Sequence, residues 1–88
     1  MGPNNLSDIN KSMNRTLAAL TDSVPEGSAN RAELLRNLDS KESREEVLNL
    51  VQLYFDFENS IVTVKYYVKD RRYPDQILSF DEFRDLLS

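Results

Sequence analysis

Two groups of side chains in this 88-residue chain have the types and spacing to do chemistry. The first is acidic: Asp81, Glu82 and Asp85 stand at i, i+1 and i+4, and Glu45 is followed by Glu46. Carboxylates so spaced can ligate a hard cation or divide acid and base roles between them. A calcium loop, however, needs several oxygen ligands in a segment turned by glycine, and neither stretch contains one. Both are read instead as the first turns of helices, where the dipole favours negative charge. The second group is the run 65–73, Lys-Tyr-Tyr-Val-Lys-Asp-Arg-Arg-Tyr, which sets four cations and three tyrosines against one carboxylate. It carries +3 on a chain whose total is −4, leaving −7 elsewhere. Cations beside aromatic faces suit phosphate contact and base stacking, and Tyr and Arg also anchor protein interfaces. The candidate binding residues are Lys65, Tyr67, Lys69, Arg71, Arg72 and Tyr73.

Other chemistry is removed by composition. The chain has no His and no Cys, which excludes thiolate nucleophiles, Ser-His and Cys-His catalysis, disulfides and the ordinary zinc sites. Gly2 and Gly27 are the only glycines, so a glycine-rich phosphate loop cannot be built. A catalytic carboxylate pair would need a pocket, and a chain this small has little volume for both pocket and core. The sequence is therefore expected to be non-enzymatic, with no cofactor and no metal. The longest nearly apolar run, 61–68, is interrupted by Thr63 and Lys65 and is far short of the roughly 20 residues that span a bilayer. Asn5-Leu6-Ser7, Asn10-Lys11-Ser12 and Asn14-Arg15-Thr16 match the N-glycosylation acceptor, but nothing else argues for export. A cytoplasmic location is expected.

The elements that must position these groups are read from periodicity and caps. Residues 1–5 are read as a disordered N-terminus, with Met1-Gly2-Pro3 a cloning or protease scar, and 6–88 as a single domain. A first helix is expected from Leu6 or Ser7 to about Thr21, with a narrow apolar stripe of Ile9, Met13, Leu17 and Leu20. The break at Ser23-Val24-Pro25-Glu26-Gly27-Ser28 separates it from the rest. Residues 6–22 are accordingly expected to be a semi-detached helix or the contact of a homodimer. A second helix follows from near Ser28, capped by Ser28 or Asn30 and carrying Ala32, Leu34, Leu35 and Leu38. Asp39-Ser40-Lys41-Glu42 and Ser43-Arg44-Glu45-Glu46 both have the form of a capping box and predict a third, central helix through about Phe55. Val51, Leu53, Phe55 and Phe57 also alternate as a half-buried strand would, so the state of 51–57 stays open between helix and strand. The run 61–68, rich in branched and aromatic residues, is a strand. It turns through 70–75 into a short second strand from about Gln76 to Leu78. Ser79-Phe80-Asp81-Glu82 is a further capping box that starts a last helix.

The expected fold is α+β: three helices, a two-stranded antiparallel β-hairpin and a C-terminal helix around one core. That core comprises Leu17, Leu20, Leu34, Leu35, Val47, Leu50, Val51, Tyr54, Val62, Val64, Phe80, Phe83 and Leu87. The expected function is that of a small acidic regulatory module that binds a protein partner. Its acidic surface suits a basic one, such as a nucleic-acid-processing enzyme that it would inhibit by resembling the charge of DNA. The alternative is a winged-helix-like nucleic-acid binder, since three helices followed by a hairpin is the order of that module and the basic hairpin 65–73 would be its wing. The start of the expected third helix opposes it: that would be the reading helix, and it carries Glu42, Glu45 and Glu46 against Lys41 and Arg44.

Overall fold

A helix starts where a side chain can take over an orphan amide, and Asn14 does so for the first described helix. Its backbone is extended and its Oδ1 accepts the Leu17 N–H at 3.0 Å, so α1 runs Arg15–Ser23. The computed structural model describes residues 14–88. The readings made on residues 1–13, including the scar, the apolar positions Ile9 and Met13 and the first two glycosylation triplets, lie outside the described residues. The third triplet is structurally engaged, with Asn14 capping α1 and Thr16 fully buried. After Gly27, which turns the chain at φ 81°, Ser28 accepts from the Arg31 N–H and caps α2, Ala29–Ser40.

The expected third helix is not formed, and this corrects the fold. In its place stand β1, Glu45–Val47, and β2, Val51–Asp56. The apparent capping boxes at 39–46 fail for a local reason. Asp39 and Ser40 belong to the last turn of α2, and Lys41 closes that helix in the left-handed conformation at φ 56°. The buried Asn37 then takes the amides that a new cap would have served: its Oδ1 accepts from the Glu42 and Ser43 N–H groups at 3.1 and 2.9 Å, and its Nδ2 donates to the Ser43 carbonyl at 2.8 Å. Beyond that turn the period of two prevails. Val51, Leu53 and Phe55 are buried while Gln52, Tyr54 and Asp56 face the other way. A helix over the same residues would have exposed apolar groups on more than one face, whereas a strand hides them all on one.

β3, Ile61–Tyr66, pairs antiparallel with β2 through a turn in which Asp56 Oδ1 accepts from the Glu58 and Asn59 amides. β4, Gln76–Ser79, pairs back on β3 and is followed by α3, Phe80–Leu87. The Ser79 capping box forms with both bonds, Glu82 N–H to Ser79 Oγ at 3.0 Å and Ser79 N–H to Glu82 Oε1 at 2.8 Å. Among the described residues the molecule is thus an α+β domain of three helices and one four-stranded antiparallel sheet in the order β1-β2-β3-β4, not a two-stranded hairpin.

α1 packs on β2 and β3, α3 on β3 and β4, and α2 on α3. Leu17, Ala19 and Leu20 of α1, Leu34 and Leu38 of α2, and Phe83 and Leu87 of α3 bury one face of the sheet, which supplies Val51, Leu53, Phe55, Val62, Val64 and Leu78. Compared with the expected core, Val47 is 66 % exposed and Tyr54 sits on the opposite face, because strand alternation replaces helical spacing there. Leu35, Leu50 and Phe80 pack against the core only partly buried. Ala19, Val24, Leu38, Leu53, Phe55 and Leu78 are buried although the expected core does not include them.

Candidate functional site

The strand–loop–strand unit expected over 61–78 is present, and the basic run occupies its end. β3 ends at Tyr66, β4 begins at Gln76, and the loop 67–75 joins them. Register decides which way each side chain faces. Tyr66 is paired with the buried Val51 and so lies on the helix side, while Lys65, paired with Gln52, lies on the open side. Tyr73 returns over Tyr66 with ring centroids 3.7 Å apart and planes 14° from parallel, and Tyr67 meets Tyr66 edge-on at 4.8 Å. Burial, followed by the Tyr73 hydroxyl, raises the Tyr66 phenol above its ordinary value.

Three further contacts hold the loop in place. The Thr16 hydroxyl of α1 donates to the Pro74 carbonyl at 2.6 Å. The Tyr67 N–H donates to the Leu50 carbonyl at 2.8 Å. Asp70 accepts from the Arg72 backbone N–H at 2.9 Å and from its guanidinium Nε and Nη2 at 3.2 and 3.0 Å, a fork that closes the loop tip. The Arg72 side-chain hydrogen bond, more than any other contact, keeps the Asp70 carboxyl below its ordinary value, and Asp70 in turn raises Arg72. On the open side, Lys65 Nζ lies 3.1 Å from Asp75 Oδ2.

The six candidate residues therefore separate. Lys65, Tyr67, Lys69, Arg71 and Tyr73 line a common cleft of about 520 Å³, whereas Arg72 is bound to Asp70 and does not line it. Two cations are matched by carboxylates of the same loop, and among the described residues Lys69 and Arg71 have no ion-pair partner. Tyr67 is 55 % exposed at the cleft. The cleft is also lined by Gln52, Tyr66 and Asp75, which sequence reasoning left out of the site. Gln52 and Asp75 become visible only once the strand register is known, and Thr16, 58 residues from Pro74 along the chain, has no local signal at all.

The remaining surface offers less chemistry. A groove of about 290 Å³ runs between Gly27, Arg31, Leu35 and Leu87, and a hollow of about 100 Å³ between α2 and β1 is lined by Glu33, Asn37, Glu42 and Glu46. Among the described residues no three His, Cys, Asp or Glu side chains are grouped to hold a metal ion, and no helix is long and apolar enough to cross a membrane. Comparison with family models, with curated proteins and with solved structures found no match.

Proposed function

We propose that this chain is a non-catalytic protein-interaction module, and that the loop 67–75 with Lys65 is its recognition surface for an acidic segment of a partner protein. The observation that carries this reading is the preorganisation of the loop. A stacked tyrosine pair, the Thr16–Pro74 hydrogen bond and the Asp70–Arg72 fork support an exposed Tyr67 beside two cations without ion-pair partners among the described residues. A surface already ordered before binding loses little conformational entropy when it binds. Tyr and Arg are also the side chains most favoured as interface anchors.

Charge distribution favours a protein ligand over a nucleic acid. Asp70 and Asp75 line the same cleft as Lys69 and Arg71. A phosphate backbone, charged at every unit, would meet both signs there, whereas a peptide can set carboxylates against Lys69 and Arg71 and neutral residues against the two aspartates. The element order behind the winged-helix reading is also missing among the described residues, where the expected reading helix is β1 and β2.

The test compares the wild type with a Lys69→Glu, Arg71→Glu double variant on two probes: an array of Asp/Glu-rich peptides, and single-stranded and duplex DNA. Acidic peptides should bind the wild type at near-physiological salt and bind the double variant at least about tenfold more weakly, a loss of about 1.4 kcal/mol. Salt-sensitive DNA binding by the wild type, with a log-log slope that falls by about 2 in the double variant, would overturn the reading in favour of nucleic acid.

A further inference from the structure

The two edges of the sheet are protected differently. β1 is three residues long and carries Glu45 and Glu46, so a copy of itself laid alongside would meet like charge. β4, Gln76-Ile77-Leu78-Ser79, carries no charge and no proline. The Phe80 N–H donates to the Ser60 carbonyl at 3.0 Å. In an antiparallel ladder of this register, that makes Val62/Leu78 and Val64/Gln76 the hydrogen-bonded pairs and turns the N–H and C=O of Ile77 away from β3. Among the described residues no hydrogen bond reaches either Ile77 group from outside the sheet. The Ser79 N–H, which faces the same way, is already satisfied by Glu82. The Ile77 side chain is 65 % exposed on the open face, at the end of the row Tyr54, Thr63, Ile77.

We infer that β4 pairs antiparallel with β4 of a second copy of this chain, about a twofold axis through Ile77, so that the two sheets become one. At the axis, Ile77 and its copy exchange both free backbone groups and cover each other's side chains. The register places Gln76 opposite Leu78 of the second copy and Asp75 opposite Ser79 of the second copy, with no like charges facing. Electrostatics selects this orientation. Before β4, Lys69, Arg71 and Arg72 outnumber Asp70 and Asp75; after it, Asp81, Glu82 and Asp85 outnumber Arg84. Antiparallel pairing sets the basic side of each copy beside the acidic side of the other, twice, whereas parallel pairing would set like beside like. Such a closed isologous contact also removes the uncharged edge from solvent.

The inference does not depend on what the loop 67–75 recognises, and its test leaves that loop unaltered. Sedimentation equilibrium of the wild type should show a monomer–dimer equilibrium, and the Ile77 amide should exchange with solvent more slowly as protein concentration rises. Ile77→Lys, at a position too exposed to disturb the monomer, should weaken association by about tenfold or more, and Asp81→Lys should weaken it as well. Val47→Lys, on the same open face but at the β1 edge, should leave association intact. A wild type that is monomeric throughout, a dimer indifferent to Ile77→Lys, or an Ile77 amide whose exchange ignores concentration would each overturn the inference. The amide measurement uses only the wild type, so it decides even if a variant fails to fold.

Discussion

Thr16 shows how much one hydroxyl can organise. The residue is fully buried on α1, and its only polar side-chain atom donates to the carbonyl of Pro74 in the loop. Thr16→Val keeps the shape and removes the donor, leaving the Pro74 carbonyl without that partner. The expected cost is about 1–3 kcal/mol in chemical denaturation. Acidic-peptide binding should weaken with it, because the loop loses an anchor without losing any cleft side chain; unchanged affinity would detach Thr16 from the site. Asp70 makes a complementary prediction in pH. Its carboxyl is held below the ordinary value chiefly by the Arg72 side chain, so the folded protein binds this proton less readily than the unfolded chain. Its contribution to stability is then complete above the ordinary carboxylate value of roughly 4 and is lost as pH falls through the lower folded-state value. The melting-temperature difference between wild type and Asp70→Asn should accordingly be largest near neutrality and shrink below about pH 4. A difference that persists unchanged at low pH would show that the fork contributes nothing through ionisation.

Among the elements, β2 provides the sharpest contrast. Leu53 is fully buried beneath the helices, and its neighbour Tyr54 lies on the open face, bonded through its hydroxyl to Gln52. Leu53→Ala should cost about 2–5 kcal/mol and Tyr54→Ala no more than about 1. A helix through these residues would not produce that strict alternation, so equal losses at adjacent positions would contradict the strand. The segment was ambiguous in sequence because both periods fit it: branched and aromatic residues alternate from Val51 to Phe57, while two capping-box patterns precede them. What decides between them is the left-handed Lys41 and the three hydrogen bonds of Asn37, neither of which a propensity or a spacing announces. Elsewhere local signals sufficed. Ser28 and Ser79 cap the helices they were expected to cap, the break after Ser23 is a turn, and the run from Ile61 is a strand. The candidate site was legible for a similar reason, since all six candidate residues come from the continuous stretch 65–73, and five of them line the cleft. Its ion pairs and its Thr16 anchor were not, because they depend on strand register and on contacts between distant parts of the chain.

At the scale of the whole molecule, the question is whether the domain can exist without α1. The helix buries Leu17 and Leu20 against β2 and β3, and Val24 follows it into the same core. Its last residue, Ser23, accepts the Leu50 N–H at 3.1 Å at the approach to β2, while Thr16 near its start holds the loop beyond β3. The helix thus ties down both strands at the end of the sheet where the cleft lies. Burying a leucine or valine contributes about 1.5–3 kcal/mol each. Three such residues and two cross-element hydrogen bonds together approach the total stability of a small domain, about 5–15 kcal/mol. Removing residues 1–24 should therefore abolish cooperative unfolding: near-UV circular dichroism from the tyrosines should collapse, and thermal scans should lose their sigmoidal transition. Leu20→Ala offers a milder version in the intact chain, expected to lower stability by about 2–5 kcal/mol while keeping a single transition. A truncated chain that still melts cooperatively near the wild-type temperature would mean that α2, α3 and the sheet form a complete core without α1. The Thr16–Pro74 bond would then be an attachment to the loop rather than part of the fold that positions it.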